Sequence, residues 1–295
     1  MIKNFKFNFV NYFKTMFIMS TLVFILSVLS LLFFGIKSSI DFTGGTIINV
    51  TVDNNVDLSN LRQVLEENLN QSVSVVEVKS DKDSYLLLKM SYLSDEKNIN
   101  ELLQKVYGSG YTINQIESIG PKLGDELKIN ARNAIIASLL LIGLYISIRF
   151  DGYYAIGSLA ALLHDVFITL GIFIFMNMEI SISIIAALLT IVGYSLNDTI
   201  VIYDRIRENI SSNPYRDKKK IFNTSLNQTL NRTLVTSVTT LIVVIVLYLY
   251  GGDVLKPFSM ALIIGVILGT YSSIFIASPV TLFLEEKYNI ETEED

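Results

Sequence analysis

The chain has no cysteine, a single histidine and few charged residues, and each shortage removes a class of function. Without Cys there is no disulfide, no thiol nucleophile and no thiolate-ligated metal, so any exposed domain is held by its own core. His164 alone leaves too few ligands for a His-based zinc site, and no metal or cofactor is expected. No G-x-x-x-x-G-K-[ST] loop occurs, so work done by this protein must draw on something other than ATP hydrolysed within it. Charged residues are 17% of the 295, against roughly a quarter in a soluble domain. The net charge of −5 is segregated by region and identifies no partner, and no nucleic-acid partner is expected.

What is present is apolar sequence in long blocks, at about 15–36, 129–150, 153–176, 180–203, 233–250 and 257–284. Each reaches, or nearly reaches, the roughly 20 residues that cross a hydrocarbon layer. The fold class they predict is a polytopic α-helical membrane protein with six transmembrane helices. Lys3, Lys6 and Lys14 before the first block give it the look of a signal peptide. The block is longer than a signal core and no A-x-A site follows, so it reads as a retained helix. The links at Asp151-Gly152, 177–179 and 251–256 are short enough to make consecutive helices antiparallel hairpins.

Orientation follows from Lys and Arg. The three tail lysines and Arg205, Arg207, Arg216, Lys218, Lys219, Lys220 and Arg232 predict that both termini and a loop over 204–232 are cytoplasmic. The segment 37–128 then lies outside. It alternates strand-like stretches (46–52, 72–79, 85–92, 111–119) with helical ones (58–70, 95–107). That βαββαβ order predicts an extracytoplasmic α+β domain of ferredoxin-like form between the first two helices. The expected organisation is tail and first helix in 1–36, external domain in 37–128, five helices in 129–284 and an acidic cytoplasmic tail in 285–295.

Ionisable side chains at membrane depth are costly, so each marks a candidate site. Asp198, the His164-Asp165 pair and Arg232 qualify. Counting residues from block midpoints puts Asp198 and Arg232 at similar depth. If their helices pack, the carboxylate and guanidinium meet, either as a proton switch or as a static bridge; spacing does not choose. Thr190, Tyr194, Asn197, Asp198 and Val201 fall on one helix face, expected to point into the bundle. Such a stripe, with Ser195 and Thr199 beside it, suits a proton relay or plain interhelical hydrogen bonding. His164 on an apolar helix suits packing as well as relay. An intramembrane aspartyl protease using Asp165 and Asp198 conflicts with a depth offset read as roughly 10 Å and with the absence of a Gly-x-Gly-Asp approach. Gly44 and Gly45, within Asp41-Phe42-Thr43-Gly44-Gly45, form a structural turn into the first strand.

These motifs together resemble the SecF family. The resemblance rests on Asp41–Gly45, Ile119-Gly120-Pro121-Lys122, Ala161-Leu162-Leu163-His164-Asp165-Val166, the run from Gly193 to Asn209 containing Tyr194-Ser195-Leu196-Asn197-Asp198-Thr199, and Leu226-Asn227-Gln228-Thr229-Leu230-Asn231-Arg232-Thr233. It implies a subunit of the bacterial cytoplasmic membrane, related to resistance-nodulation-division-type transporters, that works with a separate SecD chain beside the SecYEG channel. It further implies use of the proton-motive force to promote translocation of unfolded secretory proteins, with residues matching Asp198 and Arg232 in proton conduction and no enzymatic activity. Sodium ions remain an alternative to protons. Half of a drug, metal or lipid exporter of the same superfamily, and a helix-packing scaffold, are the competing functions.

Overall fold

The computed structural model describes residues 6–52, 57–79, 84–93, 100–101, 103–104 and 110–293. Two compact units emerge, one of residues 38–132 and one of residues 1–37 with 133–295.

A 3-10 turn, Val10–Tyr12, leads into α1 (Phe13–Phe34). The α+β unit opens with a single turn of helix, α2 (Ile40–Thr43), whose N-terminus is capped by the Ser39 hydroxyl accepting from Asp41 N. Gly44 ends it at φ +71° and ψ 156°, a region kept almost entirely to glycine that costs an L-residue about 1–3 kcal/mol. A Cβ on Gly44 would also lie 2.8 Å from Pro121 Cα, and one on Gly124 3.0 Å from Gly44 N. The two glycine-bearing motifs flanking this unit therefore pack on each other, which their separation in sequence conceals.

β1 (Gly45–Val52), α3 (Leu58–Leu69), β2 (Val73–Lys79), β3 (Ser84–Met90) and β4 (Tyr111–Ile119) follow. Asp57 caps α3 by accepting from Ser59 N and Asn60 N, and Leu61 and Leu65 turn its apolar face to the sheet. All pairings are antiparallel in the order β2-β3-β1-β4. Alternate β-branched and Leu residues, Ile48, Val50, Val75, Leu86 and Leu88, bury one face with Leu61 and Leu65. This is the strand order of a ferredoxin-like sandwich. The second helix, expected over 95–107, falls mostly outside the described residues; 100–101 and 103–104 are helical and Leu103 is buried.

α4 (Pro121–Arg149) begins in this unit and ends in the other. The second unit continues with α5 (Gly152–Phe175), α6 (Ile182–Ser212), α7 (Lys218–Tyr250), α8 (Gly252–Ser272), a π-helical turn (Ser273–Ala277) and α9 (Ser278–Glu293). Six helices are long and apolar enough to cross a membrane, the last being α8, the π turn and α9 taken together. Within the bundle α5, α6 and this last span are the inner helices, while α1 and α7 keep large apolar side chains such as Leu22, Leu26, Val243 and Leu249 exposed.

The 204–232 segment, expected as a loop, is instead mostly helix. α6 runs on to Ser212, α7 starts at Lys218, and only 213–217 turns. Polar residues do not by themselves stop a helix. Asn213-Pro214 does, because the residue before proline is pushed out of the α region, and Asp217 then restarts the helix by accepting from Lys219 N at 3.0 Å.

Candidate functional site: a buried polar centre

Small residues set how the inner helices meet. A Cβ on Gly265 would overlap the Ile191 side chain, and one on Gly269 would fall 2.9 Å from Ser195 Cβ. These two glycines, on one face of α8, let it lie directly on α6. Gly171 is similarly pressed on Ser27 of α1, and Gly157 on Tyr203 and Thr281.

This packing fixes the rotation of α6. Its buried face runs through Leu188, Ile191, Ser195, Asp198, Thr199, Ile202 and Ile206. The expected stripe is therefore split. Asp198 is 1% exposed, Tyr194 and Val201 are half-buried, and Thr190 and Asn197 are exposed. The polar-inward expectation fails for Thr190 and Asn197 because close contact through Gly265 and Gly269, not polarity, selects the face.

Asp165 is fully buried and is the most heavily bonded carboxyl in the bundle among the described residues. Its Oδ2 accepts from Ser195 Oγ of α6 and from Ser272 Oγ of α8, both at 2.7 Å. His164 Nδ1 lies 2.9 Å from Oδ1. With Asp165 ionised that nitrogen carries the proton, so Nε2 accepts from Ser20 Oγ of α1 at 2.5 Å. One His-Asp pair thus ties α5 to α1, α6 and α8.

Asp198 sits differently. Its carboxyl lies beside the Thr236 and Ser237 hydroxyls of α7, with Arg232 within electrostatic reach. Among the described residues no ion pair joins Asp198 to Arg232, and Asp198 Oδ2 is buried without a hydrogen-bond partner. Arg232 is exposed and lines, with Asn197, Asp204 and Asn231, a groove of about 1680 Å³. Thr199 spends its hydroxyl on Ser195 O at 3.2 Å.

The two aspartates lie closer in depth than the block midpoints suggest. Asp165 bonds Ser195, and Asp198 is three residues further along α6, a rise of about 4.5 Å in place of roughly 10 Å. Neighbouring helices are offset along their axes, so block midpoints do not share a plane. The carboxyls nevertheless face different partners, Asp165 toward serines of α6 and α8 and Asp198 toward α7. They do not form the proton-sharing pair an aspartyl protease needs.

Ser20, Ser237, Thr270 and Ser272 escaped the sequence reading. Thr270 and Ser272 are signalled by Gly265-x-x-x-Gly269 running straight into Thr270-Tyr271-Ser272-Ser273 inside an apolar block; nothing comparable marks Ser20 or Ser237.

Six membrane-length helices, an inserted four-stranded α+β unit and carboxyls held at the bundle's centre define a multi-pass membrane protein built around a polar interior. Comparison with known proteins narrows this. A profile described as protein export membrane protein SecD/SecF, C-terminal, matches residues 98–287, and one for the SecD/SecF GG motif matches residues 29–56. The protein translocase subunit SecF of Vibrio alginolyticus is 39% identical over 94% of this chain and 89% of its own length. The protein translocase subunit SecDF of Thermus thermophilus is 38% identical over 83% of this chain and 34% of the longer protein. The crystal structure of SecDF from Thermus, described as a translocon-associated membrane protein, superimposes with a TM-score of 0.86 at 37% identity, covering 97% of this chain. SecDF in its super-membrane-facing form gives a TM-score of 0.73 at 36% identity, covering 98% of this chain. This chain spans 40% of each of those SecDF chains. It belongs to the SecD/SecF family of protein export membrane proteins.

Proposed function

We propose that this chain is an auxiliary subunit of the bacterial Sec export machinery in the cytoplasmic membrane. It works with a SecD partner beside the SecYEG channel and uses the proton-motive force to promote outward movement of unfolded secretory proteins. Both termini and the 213–217 turn face the cytoplasm, and the α+β unit faces outward, where it contributes to handling the translocating chain.

The observation that carries this reading is the setting of Asp198. A carboxyl buried beside two hydroxyls, near a guanidinium but not paired with it, can lose and regain a proton with a small rearrangement. When ionised it draws Arg232 inward; when neutral it releases it. Asn197, exposed on the same helix, and Thr199, behind it, border the path. Sodium in place of a proton would use the same oxygens. No residue is assigned a catalytic role.

The test is secretion of an exported reporter in cells carrying Asp198→Asn, Asp165→Asn or the unaltered chain at matched membrane levels. Asp198→Asn is expected to lower export to the level of cells lacking the chain while assembly with SecD persists. Export unchanged in Asp198→Asn would make Asp198 a packing residue and remove the proton-switch reading.

A further inference from the structure

Consecutive residues of α8 reach different helices just ahead of the π turn. Gly269 presses on Ser195 of α6. Thr270 Oγ1 lies 2.6 Å from Ser237 Oγ of α7. Tyr271 OH donates to Met16 O of α1 at 2.9 Å, and Ser272 Oγ donates to Asp165 of α5 at 2.7 Å. The turn that follows, Ser273–Ala277, is π-helical, and Ser278 Oγ donates across it to Ser273 O at 2.8 Å. Isolated π turns mark places where a helix is adjustable and recur at functional sites.

Proton counting gives this collar a direction. Ser237 has one hydroxyl proton and three acceptors in reach: Thr233 O at 2.8 Å, Thr270 Oγ1 at 2.6 Å and the adjacent Asp198 carboxyl. Thr270 likewise has one proton, with Val266 O at 2.8 Å and Ser237 Oγ as acceptors. An ionised Asp198 only accepts, from Thr236 or from Ser237; when Ser237 turns to it, Thr270 donates to Ser237, leaving Val266 O without its side-chain bond. A protonated Asp198 donates to Ser237, Ser237 donates to Thr270, and Thr270 donates back to Val266 O. Such i→i−4 bonds from threonine bend helices. In that arrangement the bend of α8 one turn ahead of the π turn would follow the protonation of a carboxyl on α6.

We propose that the Gly269–Ser273 collar is the coupling element of the bundle, reading Asp198 through Ser237 and Thr270 and passing the change to α1 through Tyr271 and to α5 through Ser272. Thr270 is a positioning residue in this scheme. The inference rests on the proposed titration of Asp198. The titratable and charged groups packed around the path are Arg232 of α7, His164 and Asp165 of α5, Tyr194 of α6 and Tyr271 of α8 itself.

Because the chain has no cysteine, spin-label pairs can be placed without background. One pair, Ile182→Cys with Val243→Cys, reports α6 against α7; another, Leu26→Cys with Ile182→Cys, reports α1 against α6. All of these positions are exposed. In lipid, assembled with the SecD partner, both distance distributions should shift with pH and both shifts should vanish in Asp198→Asn. Thr270→Val, which keeps the shape and removes the hydroxyl, should retain the α6–α7 shift and lose the α1–α6 shift, and Thr270→Ser should restore it. Retention of the α1–α6 shift in Thr270→Val overturns the coupling role. Shifts that survive Asp198→Asn overturn the Asp198 reading first and this inference with it, and they are seen before Thr270 is altered.

Discussion

Asp165 and Asp198 lie about one helical turn apart in level, yet the bundle treats them oppositely. Asp165 has both oxygens bonded, by two serines and a histidine; Asp198 keeps one oxygen without a partner. Removing one donor from the first should therefore be a stability effect. Ser272→Ala is expected to cost about 0.6–1.7 kcal/mol, the range measured for interhelical hydrogen bonds in membranes, read as a lower unfolding midpoint in detergent. Asp198→Asn should leave that midpoint nearly unchanged while lowering export to the level of cells lacking the chain. Both aspartates, His164 and Arg232 were legible in the sequence, since an ionisable group in an apolar block is expensive enough to be conspicuous. Of the hydroxyls around them, Ser195 was legible beside the α6 stripe, but Ser20, Ser237 and Ser272 were not. Ser and Thr in a helix usually bond their own i−4 carbonyl, as Ser27 does with Val23 O at 3.0 Å, and only the tertiary packing distinguishes Ser20 or Ser237 from such a residue.

At the level of elements, helices and strands were legible from period and length, and the sheet order follows from the βαββαβ pattern. Helix rotation was not legible. Thr190 and Asn197 suggested a polar face for α6, whereas Gly265 and Gly269 decide which face α8 can approach. Filling that contact is the matching test. Gly265→Leu should overpack Ile191 and destabilise the bundle by about 1–3 kcal/mol, seen as a lower thermal midpoint. Ile267 of the same helix is exposed, so Ile267→Ala serves as the control and should leave that midpoint nearly unchanged. In the α+β unit, Gly44→Ala meets both a positive φ and Pro121 Cα at 2.8 Å. Faster amide exchange in β1 and β4 of the intact chain should report that strain.

For the whole molecule, the proposed topology is checked by thiol labelling, again on a cysteine-free background. Tyr215→Cys, on the 213–217 turn, should be labelled by an impermeant reagent only from the cytoplasmic face, and Gln115→Cys, exposed on β4, only from outside. Charge asymmetry is what supports the proposed orientation; the proposed partner rests on motif resemblance and similarity, because no physical pattern in one chain names another. The central claim is that Asp198 gains and loses a proton in the working complex. Its most direct measurement is the protonated-carboxyl infrared band of the chain assembled with SecD in lipid, followed as pH is lowered. A band that grows with acidification and is missing in Asp198→Asn, but present in Asp165→Asn, is the predicted result. An identical band in Asp198→Asn would show that this carboxyl does not titrate and would contradict the account.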